Sequence, residues 1–442
     1  MSATISPSDA PTLAPIAEPG WKTFLIKPSA KRSMFIAATL FVLLCLTRVI
    51  ADGIDLTSSA TMGTTLRVAI PILMAGMAGL WAERVGIVNI AIEGMMIFGT
   101  WFGGWAAWKY GPWQGLALAV AAGAIGGLIH AFVVVRFNVN HVLSGVALNL
   151  FAFGAMRYLS ELVYAKDQPG GKAGGGISKS PQQKFPIPVF NVPFLAGGEI
   201  GGWKSPDMLG WLEKHHWFIL SDAAGIARGL VYQVSWASAI ALMLVPLTAW
   251  ILWRTRFGLR VRSSGEGPAA AETLGVRVTP LRYAALAISG AFAGFAGGFL
   301  AIVSANYYQQ GQTASRGFIG LATTIFGNWR PMGVLGGATL FGFAEALNLV
   351  SPTSLPNLFL FGTFACLFVV VLQMVQRKIV PAANGIIAGA ILLVGYITID
   401  KVPEPLTKAA PYIVTLIVLA TASQRLRPPA HAGMPYRSGE NH

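Results

Sequence analysis

Apolar residues in this chain gather into long runs, separated by short breaks of charge, glycine and proline. The runs fall at 34–51, 66–82, 86–108, 113–135, 142–164, 231–253, 283–304, 317–328, 331–350, 355–376, 382–399 and 410–423. A helix needs about 20 such residues to cross a bilayer, so the pattern predicts an all-α polytopic membrane protein with about 10–12 transmembrane segments. The run 317–328 is short for a crossing and predicts a half-helix, or a re-entrant piece covered by neighbours. Glycines recur four apart at Gly123/Gly127, Gly290/Gly294 and Gly385/Gly389, a spacing that lets helices approach closely. The alternating segments of a membrane β-barrel are not visible.

The breaks between runs set the orientation. The largest basic break, Arg254 to Arg282, reads RTRFGLRVRSSGEGPAAAETLGVRVTPLR and holds six arginines and two glutamates. Basic residues concentrate in short cytoplasmic loops, so 254–282 is expected to be a soluble cytoplasmic element, suited to docking on another protein. The same assignment puts Lys31-Arg32, Arg136, Arg377-Lys378 and both termini in the cytoplasm. Residues 1–33 are then a disordered N-terminal tail, 34–423 the membrane domain and 424–442 a C-terminal tail. The polar N-terminal stretch is too long for a signal-peptide n-region, so the first span is expected to stay uncleaved. Residues 165–230 fall outside, as a surface loop that is Gly-rich at first and aromatic later.

Composition narrows the chemistry. The chain has 442 residues, 54% hydrophobic and 11% charged, against about 25% charged in soluble domains. Its net charge of +14 reflects loop placement and argues for a lipid bilayer as surroundings, with no nucleic acid. Cys45 and Cys366 sit in apolar runs and read as small buried hydrophobes, not a disulfide or a metal site. Lys172 is followed by Ala173, so the Gly-rich stretch is not a phosphate-binding loop. No nucleophile elbow, metal motif or nucleotide loop is present, so no catalytic residue, cofactor or metal is expected. If transport is active, its energy enters through another chain.

Few polar residues fall at membrane depth. Asn89 and Glu93, in GIVNIAIEGMM, are four apart and are expected to share a helix face. A carboxylate in a span costs about 2.5–3.5 kcal/mol on insertion scales and is usually functional or paired. It therefore lines a substrate path or anchors neighbouring backbone. Asn149, in SGVALNL, is a further candidate for the path, though membrane asparagines also join helices. Glu345 reads as structural, and Trp329 and Arg330 as an interfacial anchor.

Taken together, GIVNIAIEGMM (86–96), SGVALNL (144–150), the island 254–276, SGAFAGFAGG (289–298), TASRGFIGLATTIFGNWRP (313–331) and PAHAGMPYR (429–437) resemble the permease subunits of ABC-type importers for nucleosides and simple sugars. The likeness is greatest to the nucleoside branch that works with a basic membrane lipoprotein. The resemblance implies a type II importer bundle in a bacterial inner membrane and transport by alternating access. It further implies an ABC ATPase subunit, a second paralogous permease and an extracytoplasmic substrate-binding protein as partners. The family's ATPase-coupling loop maps onto Gly265, Glu266, Ala270, Ala271 and Gly275, which puts ATP hydrolysis in a separate chain. The long N-terminal tail, the enlarged 165–230 stretch and the segments 382–399 and 410–423 depart from the family's usual shape. A simple-sugar permease and an ATP-independent secondary transporter are the alternatives.

Overall fold

Lipid offers a backbone no hydrogen-bond partner, so apolar runs that reach it must satisfy their own N–H and C=O groups as helices. The computed structural model describes residues 30–164, 179–200, 202–215, 217–351, 354, 356–376, 379–399 and 426–436. Every run expected before residue 400 coincides with a helix. The run 410–423 and most of both tails lie outside the described residues. In chain order the helices are α1 (Ala30–Ile50), α2 (Ser59–Arg84), α3 (Ile92–Tyr110), α4 (Pro112–Ala131, continued by a π turn to Arg136), α5 (His141–Tyr164), α6 (Met208–Lys214), α7 (Leu220–Val231), α8 (Trp236–Arg254), α9 (Arg256–Glu266), α10 (Pro268–Thr273), α11 (Val278–Phe299, continued to Ser304), α12 (Arg316–Phe326), α13 (Pro331–Val350), α14 (Asn357–Val375) and α15 (Ile379–Thr398). Among the described residues, seven are long and apolar enough to cross a membrane. Shorter apolar helices at Met34–Ile50, Arg316–Phe326 and Ala382–Thr398 accompany them.

The chain divides into two compact units. In the first, residues 1–54 and 356–401, α14 packs on both α1 and α15. Gly385 and Gly389 face Val370 and Cys366 of α14, so that glycine pair lies on a helix contact. Cys45 and Cys366 form no disulfide.

The second unit is centred on α2 and α11, whose apolar windows are 83% and 78% buried, against 28% in α5. Helix α11 packs on α4, α3 and α2, and α2 also carries α12 and α13. A Cβ on Gly123 or Gly127 would run into the carbonyls of Gly290 and Leu286, and one on Gly290 or Gly294 into those of Gly123 and Ala119. The two predicted pairs thus face each other across one backbone-to-backbone seam, and dispersion contacts there replace side-chain interdigitation.

Two helix starts differ from expectation. The run 86–108 is not one helix: Val85–Ala91 is irregular and α3 begins at Ile92. The run expected from 231 begins at Trp236, where Ser235 caps α8 by accepting from the Ser238 N–H.

The stretch expected as a surface loop also contains folded structure. From 179 to 235 it carries two two-stranded sheets, β1 (Val189–Phe190) with β4 (Val234–Ser235) and β2 (Glu199–Ile200) with β3 (Trp203–Lys204), together with α6 and α7. Arg228 is its hub, bonding Asp207 at 2.7 Å, Glu213 at 3.3 Å and the Ser59 hydroxyl at 3.1 Å. Glu213 also accepts from the Ser59 N–H at 2.8 Å, so the lobe is stapled to the start of α2.

Two expectations follow. Gly123→Val forces a side chain into the seam and should destabilise the protein by about 1–3 kcal/mol, whereas Gly154→Ala, which meets nothing within 4 Å, should be neutral or mildly stabilising. Thermal denaturation in detergent compares them, and equal effects would contradict the seam. For Asp207, burial lifts the carboxyl pKa, but hydrogen bonds from Arg228 and the Gly210 N–H, with the charges of Arg228 and Lys214, hold it below its ordinary value. Its folded value lies below the unfolded one, so its stabilisation is complete above about pH 4 and is lost as pH falls through the folded value. Hydrogen-exchange protection across 207–231 should drop in that acid range, and Asp207→Asn should lower it already at neutral pH. Protection that ignores both would sink the hub.

Candidate functional site

Two helices in the second unit begin inside the bundle. After α2 the chain reverses at Gly86, whose φ is +96°, and runs back beside that helix. By Asn89 it has already re-entered: the Asn89 amide donates to Ser289 Oγ at 2.9 Å, and Ser289 donates to the Ala78 carbonyl at 2.7 Å. Ala78 lies six residues, about 9 Å, before the end of α2. The irregular stretch is buried, so its polar groups need protein partners. Asn89 Oδ1 accepts from the Ala91 N–H at 3.0 Å. Asn149, reaching from α5, accepts from the Gly94 N–H at 2.7 Å and donates to the Ile90 carbonyl at 2.9 Å.

The second broken helix is α12. Ala314 and Ser315, immediately before it, both adopt left-handed backbone, with φ of 47° and 62°. Such residues cost about 1–3 kcal/mol each and persist only where the surroundings hold them. Glu93 does the holding: its two carboxylate oxygens accept from the Ser315 N–H at 3.0 Å and the Gly317 N–H at 2.7 Å. A carboxylate at a helix N-terminus is favoured by the helix dipole. Arg316 pairs with Glu345 at 2.5 Å, which agrees with the structural reading of Glu345. At the far end, Asn328 and Trp329 are again left-handed. The Trp329 carbonyl accepts from Arg84 at 2.6 and 3.1 Å, and its indole N–H donates to Glu83. Trp329 is therefore a buried clamp, 5% exposed, and not the interfacial anchor expected from sequence. The 11 residues of α12 span about 16 Å, half of a bilayer core of about 30 Å. Its length fits the short element, half-helix or re-entrant piece, that the run predicts.

Beside these helix starts lies a cavity of about 300 Å³, lined by Glu93, Thr100, Asn149, Phe153, Gln312 and Phe318 among others. That volume is at the lower bound for small-molecule sites, and the mixture of aromatic surface with a few polar groups is typical of them. Glu93 and Asn149 both line the cavity. Asn89 does not: it is fully buried against Ser289, and because α3 starts after it, the four-residue spacing never puts it on one helix face with Glu93. Phe153, Gln312 and Phe318 were missed. The polar cluster Tyr307-Tyr308-Gln309-Gln310-Gly311-Gln312 between two apolar runs was the available signal.

The basic island forms a separate platform at the other end of α2 from the lobe. Thr255 caps α9 by accepting from the Gly258 N–H. Helix α10 is stopped two residues past Thr273 by Gly275, φ +82°, with bonds from the Gly275 N–H to the Glu272 carbonyl and from the Val276 N–H to the Ala271 carbonyl closing its last turn. Gly265 and Ala271 point inward. Gly265 is pressed on the Arg84 carbonyl, where a Cβ would collide, and Ala271 packs with Val278 and Tyr436. Glu266, Ala270 and Gly275 are exposed. Leu274, which sequence reading passed over, is 85% exposed at the tip.

A helical membrane bundle that shelters a part-polar cavity where two broken helices begin has the architecture of a permease. The chain belongs to the family described as the branched-chain amino acid transport system / permease component, whose profile matches residues 61–394. It is 33% identical over 341 residues to the guanosine ABC transporter permease protein NupQ of Bacillus subtilis, covering 74% of this chain and 96% of that one. It is 29% identical over 329 residues to the nucleoside ABC transporter permease protein NupC of Lactococcus lactis, covering 72% and 92%. Against the putative glucose ABC transporter permease protein TsgC13 of Haloferax volcanii, identity is 31% over 299 residues, covering 66% and 78%. No solved structure matches the chain.

Glu93→Ala leaves the Ser315 and Gly317 N–H groups unpaired and is expected to cost about 1–3 kcal/mol, with Glu93→Gln recovering part of it. Hydrogen exchange at 315–318 should rise in the same order. Unaltered protection in the alanine variant would remove Glu93 as the anchor of α12.

Proposed function

We propose that this chain is the membrane permease of an ATP-driven importer for nucleosides, working by alternating access. The observation that carries this reading is the cavity at the two helix starts. Phe153 and Phe318 offer flat apolar faces to a base, while Asn149, Thr100, Gln312 and Glu93 offer hydrogen bonds to ribose hydroxyls and base edges. Binding sites of membrane transporters recur where discontinuous helices meet. The guanosine and nucleoside permeases among the relatives point the same way. The glucose permease relative supports simple sugars as the second reading, since the same polar groups suit hydroxyls. Asn89 enters this scheme by fixing the turn that carries Glu93.

In this scheme the energy comes from a separate ABC ATPase subunit, docked on Glu266, Ala270, Leu274 and Gly275 while Gly265 and Ala271 shape the platform behind them. A second, paralogous permease completes the path, and an extracytoplasmic binding protein delivers substrate to the 179–235 lobe. The membrane is a bacterial inner membrane, with the island and both termini on the cytoplasmic side. Net import requires that the substrate bind the outward and inward states with different affinity.

The first test is to purify the tagged chain from native membranes in mild detergent and identify its companions. An ATPase and a second permease are expected, and a lone chain that transports without ATP would overturn the reading. In reconstituted vesicles, labelled guanosine uptake should be competed by other nucleosides and not by glucose; the reverse would favour the sugar reading. Glu93→Gln should lower uptake about tenfold, the loss of a hydrogen bond to a charged group, with membrane insertion kept. Leu274→Glu should cost about 2 kcal/mol of ATPase binding, as for an interface anchor. Undiminished ATPase recovery would sink the docking assignment.

A further inference from the structure

The segment 426–436 carries the PAHAGMPY motif and forms a strap across the platform. Its Arg427 N–H donates to Asn328 Oδ1 at 2.8 Å, beside the clamp at the end of α12. Its Ala430 N–H donates to the Glu266 carboxylate at 3.2 Å, and its His431 N–H to the Gly265 carbonyl at 3.0 Å, both on α9. Gly433 N–H donates to the Gly86 carbonyl at 3.1 Å, in the turn where the chain re-enters the bundle. The strap therefore touches α9, the residues just beyond α12 and the turn at Gly86.

Its last described residue, Tyr436, occupies a particular place. The covalent link between α10 and α11 is Leu274–Arg277, and Gly275 in it has left-handed backbone with nothing within 4 Å of a would-be Cβ. Beyond the two bonds that close the last turn of α10, Gly275 is a position in that link where a side chain would meet no neighbour, and it has the geometry of a hinge. Tyr436 spans the hinge: its ring packs with Ala271 of α10 and Val278 of α11, and its hydroxyl donates to the Glu272 carboxylate. The other side of the ring lies 5.0 Å from the guanidinium of Arg282. Arg282 is 1% exposed, and its Nε and Nη2 have no hydrogen-bond partner, so the ring face is a specific cover for that buried cation. Burial first, then the hydrogen bond to Glu272 and its charge, push the Tyr436 hydroxyl up to about 12, which keeps it a donor at any physiological pH.

We propose that Tyr436 is a positioning residue that locks α10 to α11, so that force applied to the docking helix moves the central helix of the bundle instead of bending the hinge. Helix α11 is the one seated on α2, α3 and α4, and through Ser289 it holds Asn89 at the turn before Glu93. The strap thereby supplies the stiffness that the Gly275 link lacks. This inference rests on the reading of α10 as the ATPase-docking helix.

The test uses the intact complex from native membranes, reconstituted in vesicles, and reads the number of guanosine molecules imported per ATP hydrolysed. Tyr436→Phe keeps the ring over Arg282 and removes the hydroxyl; Glu272→Gln keeps the shape of the acceptor and removes its charge. Each should lower the ratio about threefold, and the double variant no further than either single one, because both break the same contact. Recovery of the ATPase subunit should stay at the parental level in all three, which a general loss of fold would not allow. An unchanged ratio, or losses that multiply in the double variant, would overturn the proposal while leaving docking intact. Leu274→Glu probes docking by itself, and undiminished ATPase recovery there would fell that reading and the role of the strap with it.

Discussion

In hydrocarbon there is no water to satisfy a peptide group, and each unpaired one costs several kcal/mol. That constraint makes Glu93 the centre of the second unit. Placing a carboxylate in a span costs about 2.5–3.5 kcal/mol, which alone would select against it. Here, however, it satisfies two N–H groups at the start of α12 and lies at the positive end of that helix. The two satisfied amides offset much of the insertion cost. Asn149 solves the same problem for α3, giving one acceptor and one donor to backbone on either side of the break. The groups that allow the helices to be broken are therefore also the polar groups of the cavity.

Around this junction the bundle divides into parts that are rigid for different reasons. The seam of Gly123, Gly127, Gly290 and Gly294 brings α4 and α11 into backbone contact, where a sub-ångström shift already produces overlap. Helix α12 is fixed by hydrogen bonds at its two ends, Glu93 at one and Arg84 and Glu83 at the other, and along its length by the close contact of Gly320 with Ala75 and Gly76 of α2 and the bond from the Thr324 hydroxyl to the Gly76 carbonyl. Both ends carry left-handed residues, so the half-helix is held in place against backbone strain.

A single helix connects the two ends of the unit. The 26 residues of α2 extend about 39 Å, from Ser59 in the hydrogen bonds of the lobe to Arg84 under Gly265 and Trp329. The lobe is organised by Arg228, and the platform by the strap. Each gathers separate segments onto one terminus of α2, so the lobe and the platform are tied together through a single helix.

The sequence by itself determined the fold class and where the helices lie. Membrane insertion is decided by hydrophobicity summed over about 20 residues, and such a sum is a property of local composition. The length of the run 317–328 likewise foretold an element too short to cross, a half-helix or a re-entrant piece, and the glycine spacing foretold close helix contacts, though not which helices meet. What only the tertiary structure decided was the start of α3 at Ile92, because that depends on Asn149 of α5 and Ser289 of α11 supplying distant partners. The expectation that Asn89 and Glu93 share one helix face assumed a continuous helix and failed for that reason. Residues 165–230 read as a loop because a hub such as Arg228, bonded to Asp207, Glu213 and Ser59, leaves no periodic trace. Likewise the inward turn of Gly265, the exposure of Leu274 and the seat of Tyr436 arise from contacts between distant segments, the strap bond from Gly433 to Gly86 joining residues 347 apart; these are properties of the assembled fold and of no single stretch of chain.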